Sequence, residues 1–271
     1  MASNCRADNQ YYGKYRECCV VAHLNNTPVE YNEDYVFSDK EKTDMYEETR
    51  IIADYIGNHK AIYTGNHTID ASGDIVLDNG EVVELKCVSS GNGTYFNTSI
   101  YYLSKFGFDF REYMDKYNIY SILENKFGNQ IKVSRTNNSP VSQSNSSFIR
   151  HNYESFYKNI IIPADAQMRH CFTLDIADYF RNNVEAAYQF VSDMLSKNTS
   201  TCFKKMPDRL IVMNYNKKTA KEINLKSFVD NITTTIRVTD KGLVIGNVRI
   251  IFAWQNGSGL NNPTIRVFLE D

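Results

Sequence analysis

The chain has 271 residues, a formal net charge of −2, 42% hydrophobic residues and 23% charged residues. These proportions are ordinary for a globular protein and exclude collagen, a coiled coil and wholesale disorder. The small net charge argues against a passive nucleic-acid coat protein, but it allows a nucleic-acid enzyme whose acidic metal ligands offset its basic contacts. We see no apolar run of about 18 residues, no secretory leader and no CxxC pair among the six cysteines. We therefore expect a reduced, cytoplasmic protein without a membrane span.

The first half of the chain contains one amphipathic helix and one hairpin. A helix is predicted over residues 40–57, where Thr43 can cap the start and Gly57 can end it. The pattern over residues 73–88 is typical of a β-hairpin, with the turn at Asp78-Asn79-Gly80. A loop over residues 89–97 then leads into a helix that ends near residue 106 and is capped by Asn97 or Thr98.

The second half predicts further helices, a loop and several strands. Helices are expected over 109–127 and 175–197, and the Ser- and Asn-rich segment 134–147 is expected to be a flexible loop. Strands are expected at 209–214, 232–238, 243–253 and 264–269. This order predicts an α/β chain with one mixed central β-sheet flanked by helices.

The hairpin carries charged residues whose spacing is chemically suggestive. Glu84 and Lys86 are two apart on a strand and therefore share a face. A two-residue turn at Asn79-Gly80 would place Asp74 on the opposite face. A three-residue loop, with Gly80 in the left-handed conformation, would pair Asp74 directly with Glu84. The turn chemistry permits the second arrangement.

Two facing carboxylates beside a lysine require a compensating charge, and a hard divalent cation supplies one. Mg²⁺ prefers oxygen ligands and is often held by one or two carboxylates together with water and a substrate phosphate. A lysine can hold or deprotonate the attacking water, or offset the charge that develops on the phosphorus. The pattern therefore predicts hydrolysis of a phosphodiester.

At these residues the sequence resembles the PD-(D/E)XK nuclease superfamily. Asp74 matches the first acidic position, and Glu84-Leu85-Lys86 matches the (D/E)XK tripeptide, although Gly73 stands where a proline is usual. The resemblance implies that Asp74, Glu84 and the backbone carbonyl of Leu85 bind the metal and that Lys86 assists the water. It also implies a supporting glutamate on an upstream helix, for which Glu48 is preferred to Glu47.

Within this superfamily, the chain looks most like a type II restriction endonuclease with a restriction-endonuclease-like core. The resemblance implies a single endonuclease domain over 1–271, with a catalytic core at about 40–130 and DNA-recognition elements and the rest of the sheet in 148–271. It implies Mg²⁺ as the cofactor, with Mn²⁺ as a substitute, and double-stranded DNA cut at a short specific sequence. A homodimer and a DNA methyltransferase as genetic partner are the further expectations.

Several polar and basic residues are candidates for contact with DNA. A loop rich in small residues follows Lys86 and can approach a phosphate closely. Basic residues near the Ser- and Asn-rich segment and after the strand at 209–214 can meet the backbone or the bases. The candidates are Ser89, Ser90, Asn92, Gly93, Thr94, Asn97, Lys132, Arg135, Lys217 and Lys218.

Other interpretations remain open on the sequence alone. The hairpin could be an ordinary surface hairpin of a non-catalytic α/β binding protein, although its apolar second strand is an unusual place for idle charges. A PD-(D/E)XK nuclease could also act in junction resolution, repair or defence. A His/Asp metal site at His59, His67 and Asp70 matches no standard zinc spacing.

Overall fold

The structure, a computed structural model, describes residues 7–64, 73–88, 96–137, 139–195, 207–225, 229, 235–254 and 260–270. The helices in these ranges are α1 (Ala7–Asn25), α2 (Asp39–Ile56), α3 (Phe110–Lys116), α4 (Ile119–Phe127), α5 (Gln143–Asn152), α6 (Glu154–Phe156), α7 (Ile162–Asn182) and α8 (Val184–Leu195). A 3₁₀ helix spans Ile100–Phe106, and a π-helical turn spans Tyr157–Ile161. The strands are β1 (Ala61–Tyr63), β2 (Ile75–Leu77), β3 (Val82–Val88), β4 (Phe96–Ser99), β5 (Arg209–Asn214), β6 (Thr219–Ile223), β7 (Ile236–Thr239), β8 (Gly242–Ile245), β9 (Val248–Trp254) and β10 (Pro263–Leu269).

The chain divides into two compact units. The first unit comprises Met1–Gly93 and Leu195–Asp230, and the second comprises Thr94–Met194 and Asn231–Asp271. Each unit contains one five-stranded sheet, with the orders β1-β2-β3-β5-β6 and β4-β10-β9-β8-β7. The α/β class is confirmed, but the prediction of one central sheet is wrong.

The first sheet is mixed, because β3 and β5 are parallel whereas its other neighbouring strands are antiparallel. One face of this sheet packs against α1 and α2 in a buried apolar cluster. The cluster is made by Val20, Ile52, Ile56, Ala61, Ile75, Leu77, Val83, Leu85, Ile211 and Met213. Burial of these side chains fixes both helices on the sheet that carries the predicted catalytic residues.

The predicted helix at residues 40–57 is confirmed as α2. Its start is fixed by a capping box, in which Ser38 Oγ accepts from the Glu41 amide at 3.3 Å and Glu41 Oε2 accepts from the Ser38 amide at 2.8 Å. Thr43 is not the cap, because it lies inside the helix and its hydroxyl donates to the Asp39 carbonyl. Gly57 ends the helix with a φ of 87°, a conformation that glycine adopts at no steric cost.

Two long predicted helices are each divided. The 109–127 segment breaks between α3 and α4 at Asn118, whose φ of 59° interrupts the helical backbone. The 175–197 segment divides between α7 and α8 at Asn183, whose φ of −138° is extended. The predicted loop at 134–147 is shorter than expected, because Ser142 accepts from the Asn145 amide and α5 begins at Gln143.

The second sheet is entirely antiparallel in the described residues. The predicted strand at 243–253 is two strands, β8 and β9, which a tight turn containing Gly246 joins into a hairpin. Asn97 and Thr98 lie in β4 rather than at a helix cap, and Ser99 caps the 3₁₀ helix instead.

Candidate active site

The register of the β2–β3 hairpin is the one that the three-residue loop predicts. Val76 pairs with Val82, and Gly80 adopts a φ of 84°. The Leu77 amide donates to the Glu81 carbonyl at 2.9 Å, and the Gly80 amide donates to the Leu77 carbonyl at the same distance. This register extends to Asp74 and Glu84 as the next facing pair toward the open end of the hairpin.

Asp74 is anchored to β3 by hydrogen bonds at the point where the ladder ends. Its amide donates to the Val83 carbonyl at 2.9 Å, and its carboxylate Oδ2 accepts from the Leu85 amide at 2.7 Å. The side chain thus replaces a strand partner of Leu85 and is held at the edge of the hairpin. A carboxylate that accepts a hydrogen bond from a backbone amide is held in one orientation, and a metal ligand requires such a fixed orientation.

Glu84 and Lys86 form an ion pair on one face of β3. The Glu84 side chain is fully buried, whereas the Lys86 side chain is 29% exposed. Lys86 Nζ donates to Glu84 Oε1. A buried carboxylate is costly unless it is paired, so the lysine compensates Glu84 in this arrangement.

A third carboxyl group, that of Glu17 on α1, joins this pair. Burial is the largest cause that raises the pKa of Glu17, from an ordinary value of 4.5 to about 8. The charges of Asp74 and Glu84 raise this pKa further. Lys86 and the Tyr63 hydroxyl group lower it. Because charge effects of this kind decline with distance, the Glu17 carboxyl group is within electrostatic reach of the hairpin residues.

The same negative charges favour the charged form of Lys86, whereas they disfavour the charged form of Glu17. Burial by itself lowers the pKa of its ammonium group. The negative charges of Glu84, Asp74 and Glu17 outweigh burial and hold this pKa above the ordinary range of a lysine. The ammonium group is therefore cationic at neutral pH, pairs with Glu84 and interacts electrostatically with Asp74 and Glu17.

The preferred upstream glutamate, Glu48, has a different partner. Its Oε2 accepts from Arg16 Nη2 at 2.9 Å, and the Arg16 guanidinium lies 4.9 Å from the centre of the Tyr215 ring. Glu47, the alternative, is exposed on the same helix. Glu17 is thus the glutamate that interacts electrostatically with Asp74 and Glu84. Glu48 instead pairs with Arg16, which precedes Glu17 in the sequence.

The sequence pattern did not reveal Glu17, because it did not reveal α1. The apolar side chains of this helix divide between two clusters. Tyr15 and Cys19 pack with Phe37 and Met45, whereas Val20 packs on the sheet. This division leaves no single apolar stripe. The available sequence signal was one short apolar stripe within the helix, formed by Tyr15, Cys19 and Ala22 at i, i+4 and i+7, and these three residues are buried in the structure.

The donor set fits a hard divalent cation by its chemistry. Asp74, Glu84 and Glu17 supply carboxyl oxygens, which are the ligands that a hard divalent cation prefers, and burial together with the charges of Asp74 and Glu84 raises the pKa of Glu17. As the side chains are arranged, no three His, Cys, Asp or Glu residues among those described converge closely enough to hold an ion. Lys86 pairs with Glu84, so a cation bound by Glu84 would compete with this ion pair.

Lys217 and Lys218 lie on the same unit as the site. Both are exposed in the turn between β5 and β6. Val88, two residues beyond Lys86, pairs with Asn214 in the parallel β3–β5 ladder. The turn that follows β5 therefore lies at the same edge of the sheet as the C-terminal end of β3. The backbone of a DNA molecule that enters the site could therefore reach these two lysines.

The remaining predicted DNA contacts lie on the second unit or outside the described residues. Asn97 and Lys132 are exposed. Arg135 already pairs with Asp115 and Glu124, which compensate its charge. The loop residues lie outside the described ranges, namely Ser89, Ser90, Asn92, Gly93 and Thr94.

The alternative His/Asp metal site receives no support from the described part of the chain. His59 Nδ1 lies 2.9 Å from Asp78 Oδ1 at the hairpin turn, the opposite end of the hairpin from Asp74. His67 and Asp70 lie outside the described residues.

No protein-family model matches the chain, and no curated protein sequence is similar to it. In the part of the chain that the structure describes, no helix has the length and apolar character that crossing a bilayer requires.

Proposed function

We propose that the protein is a Mg²⁺-dependent endonuclease that hydrolyses phosphodiester bonds in double-stranded DNA at a short specific sequence. The observation that carries this proposal is the placement of Asp74 opposite Glu84 at the open end of one hairpin, where Lys86 pairs with Glu84 and the charge of Glu17 acts on the same groups. The mixed sheet flanked by α1 and α2 agrees with the restriction-endonuclease-like core that the (D/E)XK resemblance implies.

The burial of Glu84 argues against an ordinary surface hairpin. Its side chain is fully buried on a strand whose neighbours Val83 and Leu85 belong to the apolar core. A carboxylate in such a place costs several kcal/mol after relaxation, and an ion pair repays this only in part. Perturbed titratable groups that gather in this way are typical of functional sites.

Each residue has a role that its position supports. Asp74, Glu84 and Glu17 would hold the metal through carboxyl oxygens, together with the Leu85 carbonyl. When bound, Mg²⁺ polarises the scissile phosphate and lowers the pKa of a coordinated water. Lys86 is cationic, and on release from Glu84 its ammonium group would orient the attacking water and offset the charge that develops on the phosphate oxygens.

The cleavage of both strands of a symmetric site is most simply achieved by two copies of one active site. We therefore propose that the enzyme acts as a homodimer. We further propose that it acts in the cytoplasm, that Mn²⁺ substitutes for Mg²⁺, and that a DNA methyltransferase protects the host sequence. Exposed Lys217 and Lys218 would contact the DNA backbone near the cut.

Digestion of a sequenced phage genome tests this function. We expect discrete fragments with Mg²⁺, none with EDTA, and fragment ends that share one sequence. A smear in place of bands would indicate a nuclease without sequence specificity. Intact DNA with both Mg²⁺ and Mn²⁺ would contradict the nuclease proposal and favour a non-catalytic binding protein.

A further inference from the structure

Arg16 on α1 links α1 and α2 to the residue that follows β5. Its Nε and Nη2 atoms donate to Glu48 Oε2 on α2 at 3.2 Å and 2.9 Å. Its guanidinium carbon lies 4.9 Å from the centre of the Tyr215 ring, whereas the Tyr12 ring is farther away, at 5.9 Å. The Arg16 side chain is only 12% exposed, and a cation that is shielded from water interacts more strongly with an aromatic ring. We call the side chains of Arg16, Glu48 and Tyr215 the Arg16 clamp.

Tyr215 is the first residue of the β5–β6 turn, which comprises residues 215–218. Within this turn the Lys217 amide donates to Asn214 Oδ1 at 3.0 Å, and Lys218 adopts a φ of 49°. The left-handed conformation is unfavourable for a lysine, so the surrounding structure must hold the turn in this form. The Arg16 clamp supplies such a contact at the start of the turn.

The Tyr215 ring extends the apolar face of β5. Ile211 and Met213 belong to the cluster on this face, and Tyr215 packs against the same cluster. A leucine would satisfy this packing, whereas an aromatic ring also attracts a guanidinium group through its face. Because Glu48 compensates the charge of Arg16, the arginine is better suited to holding this ring than to binding a phosphate.

We propose that the Arg16 clamp positions the β5–β6 turn, so that Lys217 and Lys218 meet the DNA backbone in one arrangement. Arg16 and Glu48 are then positioning residues, which act on DNA through the Tyr215 ring. This inference rests on the proposed function, because the DNA contact of the two lysines belongs to it. The hold of the clamp on the turn can be tested without DNA.

Trypsin tests this hold, because it cleaves after lysine and both lysines of the turn are exposed. Cleavage of a folded protein requires local opening of the chain. Tyr215→Leu keeps every charge and the apolar packing, and it should raise the rate of cleavage after Lys217 or Lys218 about fivefold, the effect of a partly shielded cation–π contact. Arg16→Met should raise this rate at least as much. Mass spectrometry identifies the fragments, and the rate after exposed Lys132 should not change.

DNA binding in Ca²⁺ tests the consequence for the lysines. Tyr215→Leu should make the negative slope of log affinity against log salt concentration shallower by about 1, because loosely held lysines neutralise the phosphates less completely. In a background in which alanine replaces both Lys217 and Lys218, the same substitution should leave the slope unchanged, because the clamp then has no charges to position.

Phe268→Leu is the matched control. The Arg249 guanidinium lies 4.3 Å from the centre of the Phe268 ring, and Arg249 Nε donates to Glu270 Oε1 at 2.8 Å. The same three kinds of side chain therefore meet on the second unit. This substitution should leave tryptic cleavage at the β5–β6 turn unchanged, and any effect on the salt slope should be equal with and without the two lysines.

Three outcomes would overturn the inference, and they are distinguishable. An unaltered rate of cleavage after Lys217 and Lys218 in Tyr215→Leu would show that the clamp does not hold the turn, whatever the function of the protein. Faster cleavage with a salt slope that is unaltered, or altered equally without the lysines, would show that the clamp does not act on DNA through them. Failure of the wild-type protein to bind DNA in Ca²⁺ would contradict the proposed function, and the positioning role with it.

Discussion

Replacing Glu17 with glutamine tests whether burial and the neighbouring carboxylates raise the pKa of this carboxyl group. The pKa of Glu17 in the folded protein is about 8, against an ordinary value of 4.5. Between these pH values the folded state binds more protons at this position than the unfolded state, so the free energy of unfolding falls as pH rises. The glutamine variant lacks this loss, and its stability relative to the wild type should therefore increase with pH.

The magnitude follows from the size of the pKa difference. One pKa unit corresponds to about 1.36 kcal/mol, so the full difference would amount to roughly 5 kcal/mol. Because Glu17 is only partly buried, solvent screening reduces the effect, and we expect about 2 kcal/mol between pH 5 and pH 9. The assay is urea denaturation in EDTA at pH 5, 7 and 9, in which the midpoint and slope give the free energy of unfolding.

Glu41→Gln is the control for this experiment. Hydrogen bonds from Ser38 and Tyr12 lower the pKa of Glu41 to about 2, so its charge is constant over the same pH range. Its replacement should change stability by the same amount at each pH. A pH-independent difference between the wild type and Glu17→Gln would refute the raised pKa of Glu17 in the folded protein.

Three further predictions concern the hairpin, the metal and the DNA. Gly80→Ala should destabilise the protein by about 1 kcal/mol in urea denaturation, because the left-handed φ of this residue is unfavourable for alanine; an unchanged midpoint would contradict the turn. Specific DNA should bind more tightly in Ca²⁺ than in EDTA without being cleaved, and Asp74→Asn should reduce this difference in a gel-shift series; equal wild-type affinities would place the carboxylates away from the phosphate. In the double variant Lys217→Ala, Lys218→Ala, the negative slope of log affinity against log salt concentration should become shallower by about 2, one for each lost phosphate contact. An unchanged slope would show that neither residue contacts the DNA.

The parts of the fold that were predictable from the sequence are those with local causes. The hairpin register is one of the two that the turn residues permit, and Gly80 in the left-handed conformation fits the three-residue loop. The end of α2 follows from Gly57 for the same reason. The pairing of Asp74 opposite Glu84 was therefore one of two arrangements that the sequence permitted, and the structure decides between them.

The parts that could not be predicted depend on distant pairing. β4 pairs with β10, so that Phe96 lies opposite Val267, and no local pattern indicates this contact or the second sheet that it creates. β3 pairs with β5 across a comparable gap in sequence. Glu17 was missed because the direction of α1 is set by packing on two separate clusters rather than by one stripe.

The central claim is that Lys86 serves the chemistry of a metal-dependent cleavage, and Lys86→Ala tests it most directly. DNA cleavage in Mg²⁺ should be abolished, whereas DNA binding in Ca²⁺ should remain measurable, because the lysine acts on the transition state rather than on the duplex. Loss of the ammonium group also removes the ion pair between Lys86 and buried Glu84, so a melting curve must show that the variant is folded. Cleavage by a folded Lys86→Ala protein at the wild-type rate would contradict the account.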